Sequence, residues 1–363
     1  MTKVVVAMSG GVDSSVAAHL LKEQGYEVTG LMLRLWSEPG KENSNRCCTP
    51  DSVAQAKKVA SILDIPFYVI DAKDIFYDKV VKYFIDGYAD GITPNPCLAC
   101  NRHIRFDLLF NHAMALGADF MATGHYVQKF VRDDGMHLLR RAIDEGKDQS
   151  YVLHVIKQDI LRKVLFPVGE HPKSIIREIA SEIGLPVAKR PDSQDLCFLA
   201  GEDYRTFLQR YEQSSNLPGN IISTNHQVLG THTGLHNYTI GQRKGLGITT
   251  IDPYFVVKKD YQTNSLVVGD ARSLGTDRLI ATEVEWSCGS PPSLEFDALV
   301  KTRYTSKPAA ARIKMSNENA SEVMIQFYDL QRDITPGQAA VIYDSDVMLG
   351  GGIILSTDRS ELP

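Results

Sequence analysis

The sequence predicts an α/β protein, in which a doubly wound parallel sheet is followed by a small central domain and a C-terminal β-barrel. Over the first 190 residues, short apolar strands alternate with helical patterns, as they do in doubly wound parallel sheets. From about residue 276 onward, short strands of alternating polarity follow one another at roughly ten-residue spacing, which is typical of a small barrel. We therefore predict domains over residues 1–205, 206–275 and 276–363.

Apolar segments and turn residues define the individual elements. The predicted strands of the parallel sheet are Val4–Ala7, Val28–Leu33, Pro66–Ile70 and Asp119–Ala122. A first helix, from Ser15 to Gln24, ends at Gly25, and a second begins at Thr49-Pro50-Asp51, where proline suits the first helical position. The predicted barrel strands are Ala298–Tyr304, Ala309–Ile313, Val323–Phe327, Ala339–Tyr343 and Val347–Leu355.

The composition and net charge of the chain restrict the classes of protein to which it can belong. The 363 residues carry a net charge of −5, which argues against a general nucleic-acid coat but leaves room for a localised basic groove, such as Lys301–Lys314. No apolar run reaches the about 18 residues that a membrane span needs. The chain enters its first predicted strand at Val4, which leaves no space for a targeting peptide. We expect a cytoplasmic protein.

A glycine-rich turn joins the first predicted strand to the first helix. It reads Ser9-Gly10-Gly11-Val12-Asp13-Ser14, and its glycines let backbone N–H groups approach an anion at the helix N-terminus. Asp13 could hold a Mg²⁺ ion that bridges phosphates, whereas the lysine of the common P-loop is absent. The turn resembles the PP-loop of ATP pyrophosphatases, which cleave ATP between the α- and β-phosphates. A strand–helix turn with no nucleotide role is the alternative.

Three segments at the carboxyl ends of the predicted strands should border one crevice. Ligands of open parallel sheets bind at that edge. The segments are Ser9–Ser14, the residues after Leu33, and Gly124-His125.

The six cysteines indicate chemistry, because a disulfide framework does not suit the reducing compartment that we expect. Cys97 and Cys100 lie in a segment rich in proline and asparagine, which favours a rigid loop. Cys197 follows the basic pair Lys189-Arg190, and nearby cations make a thiol a better nucleophile. Three thiols combined with an adenylating loop indicate sulfur handling. A zinc site and unrelated buried cysteines are the alternatives.

The ordered motifs of the chain are similar to those of the tRNA-specific 2-thiouridylases, the MnmA family, over essentially the whole length. They are Met8–Ser15, Thr93–Pro96 with Cys100-Asn101, Ala122–Tyr126, Lys147–Tyr151, Asp192-Ser193 with Cys197-Phe198, Thr239–Gly247, Thr335–Gln338 and Leu349–Gly352. The PP-loop by itself identifies only a superfamily, whereas the full ordered set is specific.

The resemblance implies an ATP-dependent sulfurtransferase that acts at C2 of the wobble uridine in tRNA. ATP would adenylate the C2 oxygen and release pyrophosphate, after which sulfur attacks C2 and AMP leaves. Cys197 would carry the incoming persulfide, and Cys100 would release the sulfur by forming a disulfide with Cys197, or would attack the base itself. The base must leave its stack to reach these thiols. A cysteine desulfurase or a sulfur-relay protein would deliver the sulfur.

The resemblance also assigns contacts by position. Those to ATP are Ala7, Met8, Ser9, Gly10, Gly11, Val12, Asp13, Ser14, Leu33 and Gly124. Those to the target base or the tRNA are Asn95, Pro96, Cys97, His125, Lys147, Asp148, Gln149, Arg303, Tyr304 and Gln338. In this scheme residues 1–205 bind ATP and perform catalysis, the central domain links and contacts tRNA, and the barrel helps to clamp the anticodon arm.

One position departs from the family's best-known pattern. There an Asp occupies the position of Cys97 and is proposed to act in acid–base chemistry, so that role is in doubt here. Cys97, Cys100 and Cys197 could instead supply three thiolates to a 4Fe–4S cluster, whose fourth iron would bind sulfide for transfer. The alternative is a persulfide mechanism in which Cys97 takes no part. A sulfur-relay role for Cys47-Cys48 and a packed position for Cys288 are further expectations.

Two other classes of protein fit part of the sequence. A PP-loop ligase of the argininosuccinate- or GMP-synthase type would need an amine donor and no paired catalytic cysteines. An RNA-binding protein that binds ATP only for regulation would release no pyrophosphate with tRNA.

Overall fold

The first domain is built on a parallel sheet. The computed structural model describes residues 1–41, 49–192, 196–211, 217–249, 252–316, 321–332 and 334–357. The strands in the first part of the chain are β1 (Lys3–Ala7), β2 (Glu27–Arg34), β3 (Phe67–Asp71), β4 (Phe120–Ala122), β5 (Gln128–Val131), β6 (His137–Arg140) and β7 (Val164–Leu165). The sheet has the order β3-β2-β1-β4-β7, with every pairing parallel. The predicted parallel sheet is confirmed.

Helices cover both faces of this sheet. They are α1 (Val12–Glu23), α2 (Pro50–Ile62), α3 (Lys73–Phe76), α4 (Tyr83–Ala89), α5 (Pro96–Ala99), α6 (Phe110–Ala115), α7 (Gln158–Leu161), α8 (Lys173–Glu182) and α9 (Tyr204–Tyr211). Wide π-type turns over Tyr77–Lys82 join α3 to α4, and similar turns over Cys100–Leu109 join α5 to α6. Helix α2 begins as predicted, because the Ser52 N–H donates to the Thr49 hydroxyl at 3.0 Å.

The side chains of β1 explain why its sequence is a continuous apolar run. Val5 packs into one core cluster, whereas Val4 and Val6 pack into a second cluster on the other face. A central parallel strand is buried on both faces, so every position must be apolar. The carboxyl end of β1 then leads directly into the glycine-rich turn.

Two β-structures follow the first domain. The central domain contains β8 (Gly219–Ser223), β9 (Val228–His232), β10 (Phe255–Asp260) and β11 (Ser265–Gly269), in the order β10-β11-β8-β9. The last domain contains β12 (Thr276–Trp286), β13 (Glu295–Lys301), β14 (Ala309–Met315), β15 (Val323–Gln331), β16 (Ala339–Asp344) and β17 (Val347–Thr357). Pairing of β12 with β17 closes these six strands into the predicted barrel, and β6 pairs with β17 at its rim.

The barrel packs against the loop that precedes Cys97 and Cys100. The Thr93 N–H donates to the Pro336 carbonyl at 2.9 Å, and the Gln338 side-chain amide donates to the Thr93 carbonyl at 2.9 Å. Two motifs that lie far apart in the sequence therefore form one contact between domains. In the part of the chain that the structure describes, no helix is long and apolar enough to cross a membrane.

Candidate active site

The glycine-rich turn has the geometry of an anion cradle. Gly10 has a φ of +72°, and a Cβ there would lie 2.5 Å from the Ser52 carbonyl oxygen, so glycine is required for both reasons. Gly11 is the N-cap residue of α1, a twelve-residue helix, and glycine has no side chain that could cap it. The first N–H groups of such a helix suit an anionic ligand, which the helix dipole also favours.

Residues of the two neighbouring strands, β2 and β4, contact this turn. A Cβ on Gly124, just after β4, would lie 2.6 Å from the Ser14 nitrogen, so only glycine permits this approach. The Ser9 N–H donates to the Ser14 hydroxyl at 3.2 Å, and the Met8 N–H donates to the β2 carbonyl of Leu31 at 2.9 Å. Strand β2 and the end of β4 therefore lie against the turn, and a shared ligand crevice that includes Leu33 stays a prediction.

Cationic side chains surround the turn, although the P-loop lysine is absent. Lys173, at the start of α8, lies 2.6 Å from Asp13, whose carboxylate also accepts a hydrogen bond from the Tyr126 hydroxyl at 2.7 Å. Arg190 donates to the Gly10 carbonyl at 2.8 Å and to the Ser52 hydroxyl at 3.0 Å. Burial and the charge of Asp13 raise the pKa of Tyr126, which keeps this hydroxyl a hydrogen-bond donor.

The segment with the first two cysteines begins a helix. Asn95 caps α5 by accepting a hydrogen bond from the Cys97 N–H at 3.1 Å, and Pro96 occupies the first helical position. Cys97 is exposed and Cys100 is partly buried, one turn further along. The predicted rigid loop is therefore wrong in part: proline does not prevent a helix when it lies in the first turn.

A cluster of aromatic rings positions Cys197. Phe198 is buried, with ring centroids 5.3 Å from Phe84 and 5.5 Å from Phe207. Cys197 begins a tight helical turn, Cys197–Leu199, and packs against the same core cluster as Cys100. The two predicted catalytic cysteines thus border one cluster, although 97 positions separate them (197 − 100).

The described cysteines are not grouped as the ligands of a metal ion. Cys97, Cys100, Cys197 and Cys288 are present as thiols. Among the described residues, no three His, Cys, Asp or Glu side chains are grouped so that they could hold a metal ion. The three thiols required for the predicted 4Fe–4S cluster are therefore not assembled, and the cluster stays a prediction. Cys47-Cys48 and Ser193–Asp195 lie outside the described residues.

Barrel side chains border the cysteine segment. Tyr304 is 42% exposed, and its ring lies 6.3 Å from that of Tyr151 and 5.6 Å from the Lys301 ammonium. Burial, followed by the charges of Asp148 and Cys97, raises the pKa of Tyr304 to about 12, so its hydroxyl stays protonated at neutral pH. A contact of Tyr304 with the tRNA stays a prediction. Arg303 donates to the Thr335 hydroxyl at 3.2 Å.

His125 is buried between two partners. Arg105 donates to its Nε2 at 2.7 Å, so its Nδ1–H must donate to the Thr123 hydroxyl at 2.8 Å. Burial and then the Arg105 charge lower the pKa of His125 well below its usual value, which keeps the ring neutral. Arg105 belongs to the helical segment that begins at Cys100, so this contact joins the cysteine segment to the end of β4.

Three of the other residues predicted at the tRNA make contacts within the protein. The buried Asp148 carboxylate accepts from the Ala142 N–H at 3.1 Å and from the Ser150 hydroxyl at 2.8 Å. The side-chain amide oxygen of Gln149 accepts from the Tyr126 N–H at 2.9 Å, and Lys147 donates to Asp192 at 2.8 Å. The side chains therefore build the framework of the crevice, and their contacts with tRNA stay predictions.

Comparison with known proteins identifies the family. Three family models match in succession: the tRNA methyl transferase HUP domain over residues 2–201, the tRNA methyl transferase PRC-barrel domain over 205–270, and the aminomethyltransferase beta-barrel domain over 276–354. The chain is 44% identical over 356 residues to the tRNA-specific 2-thiouridylase MnmA 1 of Caldanaerobacter subterraneus subsp. tengcongensis, covering 97% of both. It is 45% identical to the MnmA of Carboxydothermus hydrogenoformans, again covering 97% of both. This chain belongs to the MnmA family.

The solved structures that match this MnmA-family chain are less similar to it than these two relatives. The U34-tRNA thiolase NcsA from Methanococcus maripaludis with its [4Fe-4S] cluster matches with a TM-score of 0.35 and 20% identity, covering 58% of this chain and 65% of that one. A match of this size supports no conclusion about the cysteines. The boundaries that we predicted at residues 205 and 275 also stay predictions.

Sequence reasoning assigned neither Lys173 nor Arg190 to the PP-loop of this MnmA-family site, and it connected Arg190 with Cys197 instead. Lys173 and Arg190 reach the PP-loop from positions 160 and 180 residues away. Their local signal is weak, because a lysine after a proline and an arginine in a turn are common surface patterns. Tyr126 and Asp192 were recognised within motifs but received no role.

Proposed function

We propose that this chain is a tRNA 2-thiouridylase, which adenylates the C2 oxygen of the wobble uridine with ATP and then replaces that oxygen by sulfur. The observation that supports this best is that one domain carries both a glycine-rich turn at the N-terminus of a helix and two cysteines that border a common core cluster. The N-terminus of α1 would bind the phosphates, and Cys100 and Cys197 pack against the same cluster. The names of the relatives support the same reaction and do not favour the ligase alternative.

In the first step, the uridine C2 oxygen attacks the α-phosphorus of ATP, and pyrophosphate leaves. Backbone N–H groups of the Ser9–Ser14 turn would bind the phosphates, with Leu33 and Gly124 at the nucleotide. Asp13 fits a Mg²⁺ ion, because one carboxylate is sufficient when the phosphates supply the other ligands. Lys173 and Arg190 would add positive charge close to the leaving pyrophosphate.

In the second step, sulfur attacks C2 and AMP leaves with the original oxygen. The Cys197 persulfide would supply this sulfur, and the Cys100 thiol would attack the inner sulfur of Cys197. That attack forms a Cys100–Cys197 disulfide and releases hydrosulfide as the nucleophile. An external thiol reductant must then restore both thiols. No step is routed through an iron–sulfur cluster, because the described thiols are not grouped as cluster ligands.

The tRNA would bind across the face where the barrel meets the cysteine segment. We propose that the wobble base flips to a position bordered by Asn95, Pro96 and Cys97, with Tyr304 stacking on it. Arg303 would contact the RNA backbone. A cysteine desulfurase or a sulfur-relay protein would charge Cys197, and a cytoplasmic location forms part of the same proposal.

Nucleoside mass spectrometry tests this function. Unmodified tRNA is incubated with the protein, Mg-ATP and a cysteine desulfurase with cysteine, and the digested nucleosides are analysed for 2-thiouridine. We expect 2-thiouridine from the wild type, and pyrophosphate without 2-thiouridine from Cys197→Ser. An RNA-binding protein would produce neither, and a ligase would be unaffected by Cys197→Ser.

A further inference from the structure

Asn101 is a buried polar residue directly after Cys100. It is 2% exposed, and its side-chain amide donates to the Val152 carbonyl at 2.9 Å. Its Oδ1 is also buried and accepts a hydrogen bond from none of the described residues. A buried acceptor that no protein group satisfies costs free energy, so asparagine is an unfavourable choice for filling space alone. The bond to Val152 is therefore the feature of Asn101 that requires an explanation.

Val152 belongs to a short helical turn, Ser150–Leu153. The last carbonyls of such a turn have no donor within it, which explains why the Val152 carbonyl accepts from a side chain. The Val152 N–H donates in turn to the Gln149 carbonyl at 3.1 Å. Asn101 thus holds the start of the helical segment Cys100–Leu109 on a turn that is itself hydrogen-bonded to Gln149.

Gln149 connects this turn to the PP-loop. Its N–H donates to the Tyr126 carbonyl at 2.8 Å, and its side-chain amide oxygen accepts from the Tyr126 N–H at 2.9 Å. The Tyr126 hydroxyl then donates to Asp13 at 2.7 Å. Four successive hydrogen bonds between described residues therefore lead from Asn101 to the glycine-rich turn.

A second contact starts from the same face of the segment Cys100–Leu109. Arg105 lies four positions after Asn101, and side chains at this spacing lie on one side of a helix. Arg105 donates to His125 at 2.7 Å, and Gly124, the residue before His125, lies against the PP-loop. The segment is thus attached at two points to the structure around the PP-loop, and Asn101 is the attachment closer to the thiol.

We infer that Asn101 is a positioning residue that fixes the Cys100 thiol relative to the bound nucleotide, so that sulfur transfer depends on its bond to Val152. This inference rests on the proposed thiouridylase function and adds a residue to it. Asn101 is not itself a reacting group and acts through its neighbour Cys100. Loss of its bond leaves the other contacts around the PP-loop in place, so adenylation should continue while the thiol is misplaced.

The test uses the full-length variant Asn101→Leu, which keeps the approximate size of the side chain and removes its N–H donors. Asn237→Leu is the matched control. The Asn237 amide also donates to a backbone carbonyl, that of Thr233 at 3.3 Å, and its Oδ1 is likewise buried without a partner among the described residues.

We measure the single-turnover burst of pyrophosphate with tRNA and the rate of 2-thiouridine formation. For Asn101→Leu we expect a burst within about threefold of the wild type and 2-thiouridine formation slower by about a hundredfold, because a misplacement of about 1 Å can have this effect. The control Asn237→Leu should match the wild type in both.

A second readout does not depend on catalysis. Iodoacetamide reacts with accessible thiolates, and Cys100 is partly buried whereas Cys97 is exposed. Tandem mass spectrometry follows the alkylation of both cysteines in protein without tRNA. We expect the rate at Cys100 relative to that at Cys97 to rise about tenfold in Asn101→Leu and to stay within about twofold of the wild type in Asn237→Leu. If the wild type makes no 2-thiouridine but this difference is found, the proposed function fails and the positioning role stands.

Other outcomes would overturn the inference. An equal loss of the pyrophosphate burst and of 2-thiouridine in Asn101→Leu would assign Asn101 to the ATP site, and unchanged 2-thiouridine formation would remove its role. An equal rise of Cys100 alkylation in Asn237→Leu would show a general loosening of the protein instead. Should Asn101→Leu fail to fold, Asn101→Ser replaces the amide by a hydroxyl one bond closer to the backbone. This variant should slow 2-thiouridine formation more than the pyrophosphate burst, and the reverse order would contradict the inference.

Discussion

The side-chain amide of Gln338, in the barrel, donates a hydrogen bond at 2.9 Å to the carbonyl of Thr93, two residues before the cap of the Cys97 helix. This bond joins two motifs that are 245 residues apart. A residue that the sequence places at the tRNA thus also holds the cysteine segment against the barrel. A structural role and a tRNA-binding role for Gln338 lead to different expected effects of its substitution.

We expect Gln338→Ala to loosen the cysteine segment. Loss of one hydrogen bond between domains should lower the free energy of unfolding by about 1 kcal/mol and speed hydrogen exchange of the amides from residue 93 to 97. Gln326→Ala is the control, since that amide donates to the Asp277 carbonyl within the barrel. Weaker tRNA binding with unchanged exchange at residues 93–97 would instead assign Gln338 to the RNA alone.

Gly10 should tolerate no side chain. Gly10→Ala combines a left-handed backbone with a Cβ 2.5 Å from the Ser52 carbonyl, so the turn and the start of α2 must separate. Gly25→Ala is a matched control, because Gly25 has a φ of +84° and no heavy atom within 4 Å of its Cβ position. We expect the control to lose about 1 kcal/mol of stability and keep its affinity for ATP.

Calorimetric titration with ATP and denaturant unfolding measure these two effects. Gly10→Ala should lose more stability than Gly25→Ala and should bind ATP at least about tenfold more weakly, equivalent to about 1.4 kcal/mol. Equal affinity in both variants would mean that the Ser9–Ser14 turn does not hold the nucleotide.

Local chemistry made much of the fold predictable. Thr49 and Pro50 mark the start of α2 because a cap and a first-turn proline act within a few residues. The strand β12 could not be recognised in the same way. Its pairing with β17 shifts register between Thr282 and Glu285, and Glu283 there has a φ of +51°, so the regular alternation of a strand is interrupted.

The candidate site likewise has parts that the sequence predicts and parts that it does not. The PP-loop is a local motif, so the sequence predicts its residues, and the structure has them in one turn between β1 and α1. Lys173 reaches Asp13 across 160 residues, and no local pattern marks such a contact. Asp148 was predicted to contact the tRNA because it is a charged residue within a motif. In the structure its carboxylate is buried and accepts hydrogen bonds from backbone N–H groups, and such a contact cannot be read from the sequence.

Cys97→Ser separates the two sulfur mechanisms. In the persulfide mechanism only Cys100 and Cys197 react, so we expect this variant to form 2-thiouridine at a rate within about threefold of the wild type. Protein purified without oxygen should contain no stoichiometric iron. The measurements are iron analysis and nucleoside mass spectrometry, with Cys288→Ser as the control. An inactive variant, together with about four iron atoms per wild-type chain, would establish the cluster instead.

His154 should make the stability of the protein depend on pH. It is 2% exposed, burial lowers its pKa to about 4, and its Nδ1–H donates to the Tyr151 carbonyl at 2.9 Å. The unfolded chain binds a proton near pH 6.5, so stability falls as the pH drops from about 6.5 towards 4. Between pH 7 and pH 5 this residue should lower the free energy of unfolding by about 2 kcal/mol.

Denaturant unfolding at both pH values tests this effect. The free energy of unfolding of His154→Gln should fall less between pH 7 and pH 5 than that of the wild type, whereas the partly exposed control His171→Gln should show the wild-type fall. Identical pH dependence in His154→Gln and the wild type would show that folding does not lower the pKa of His154.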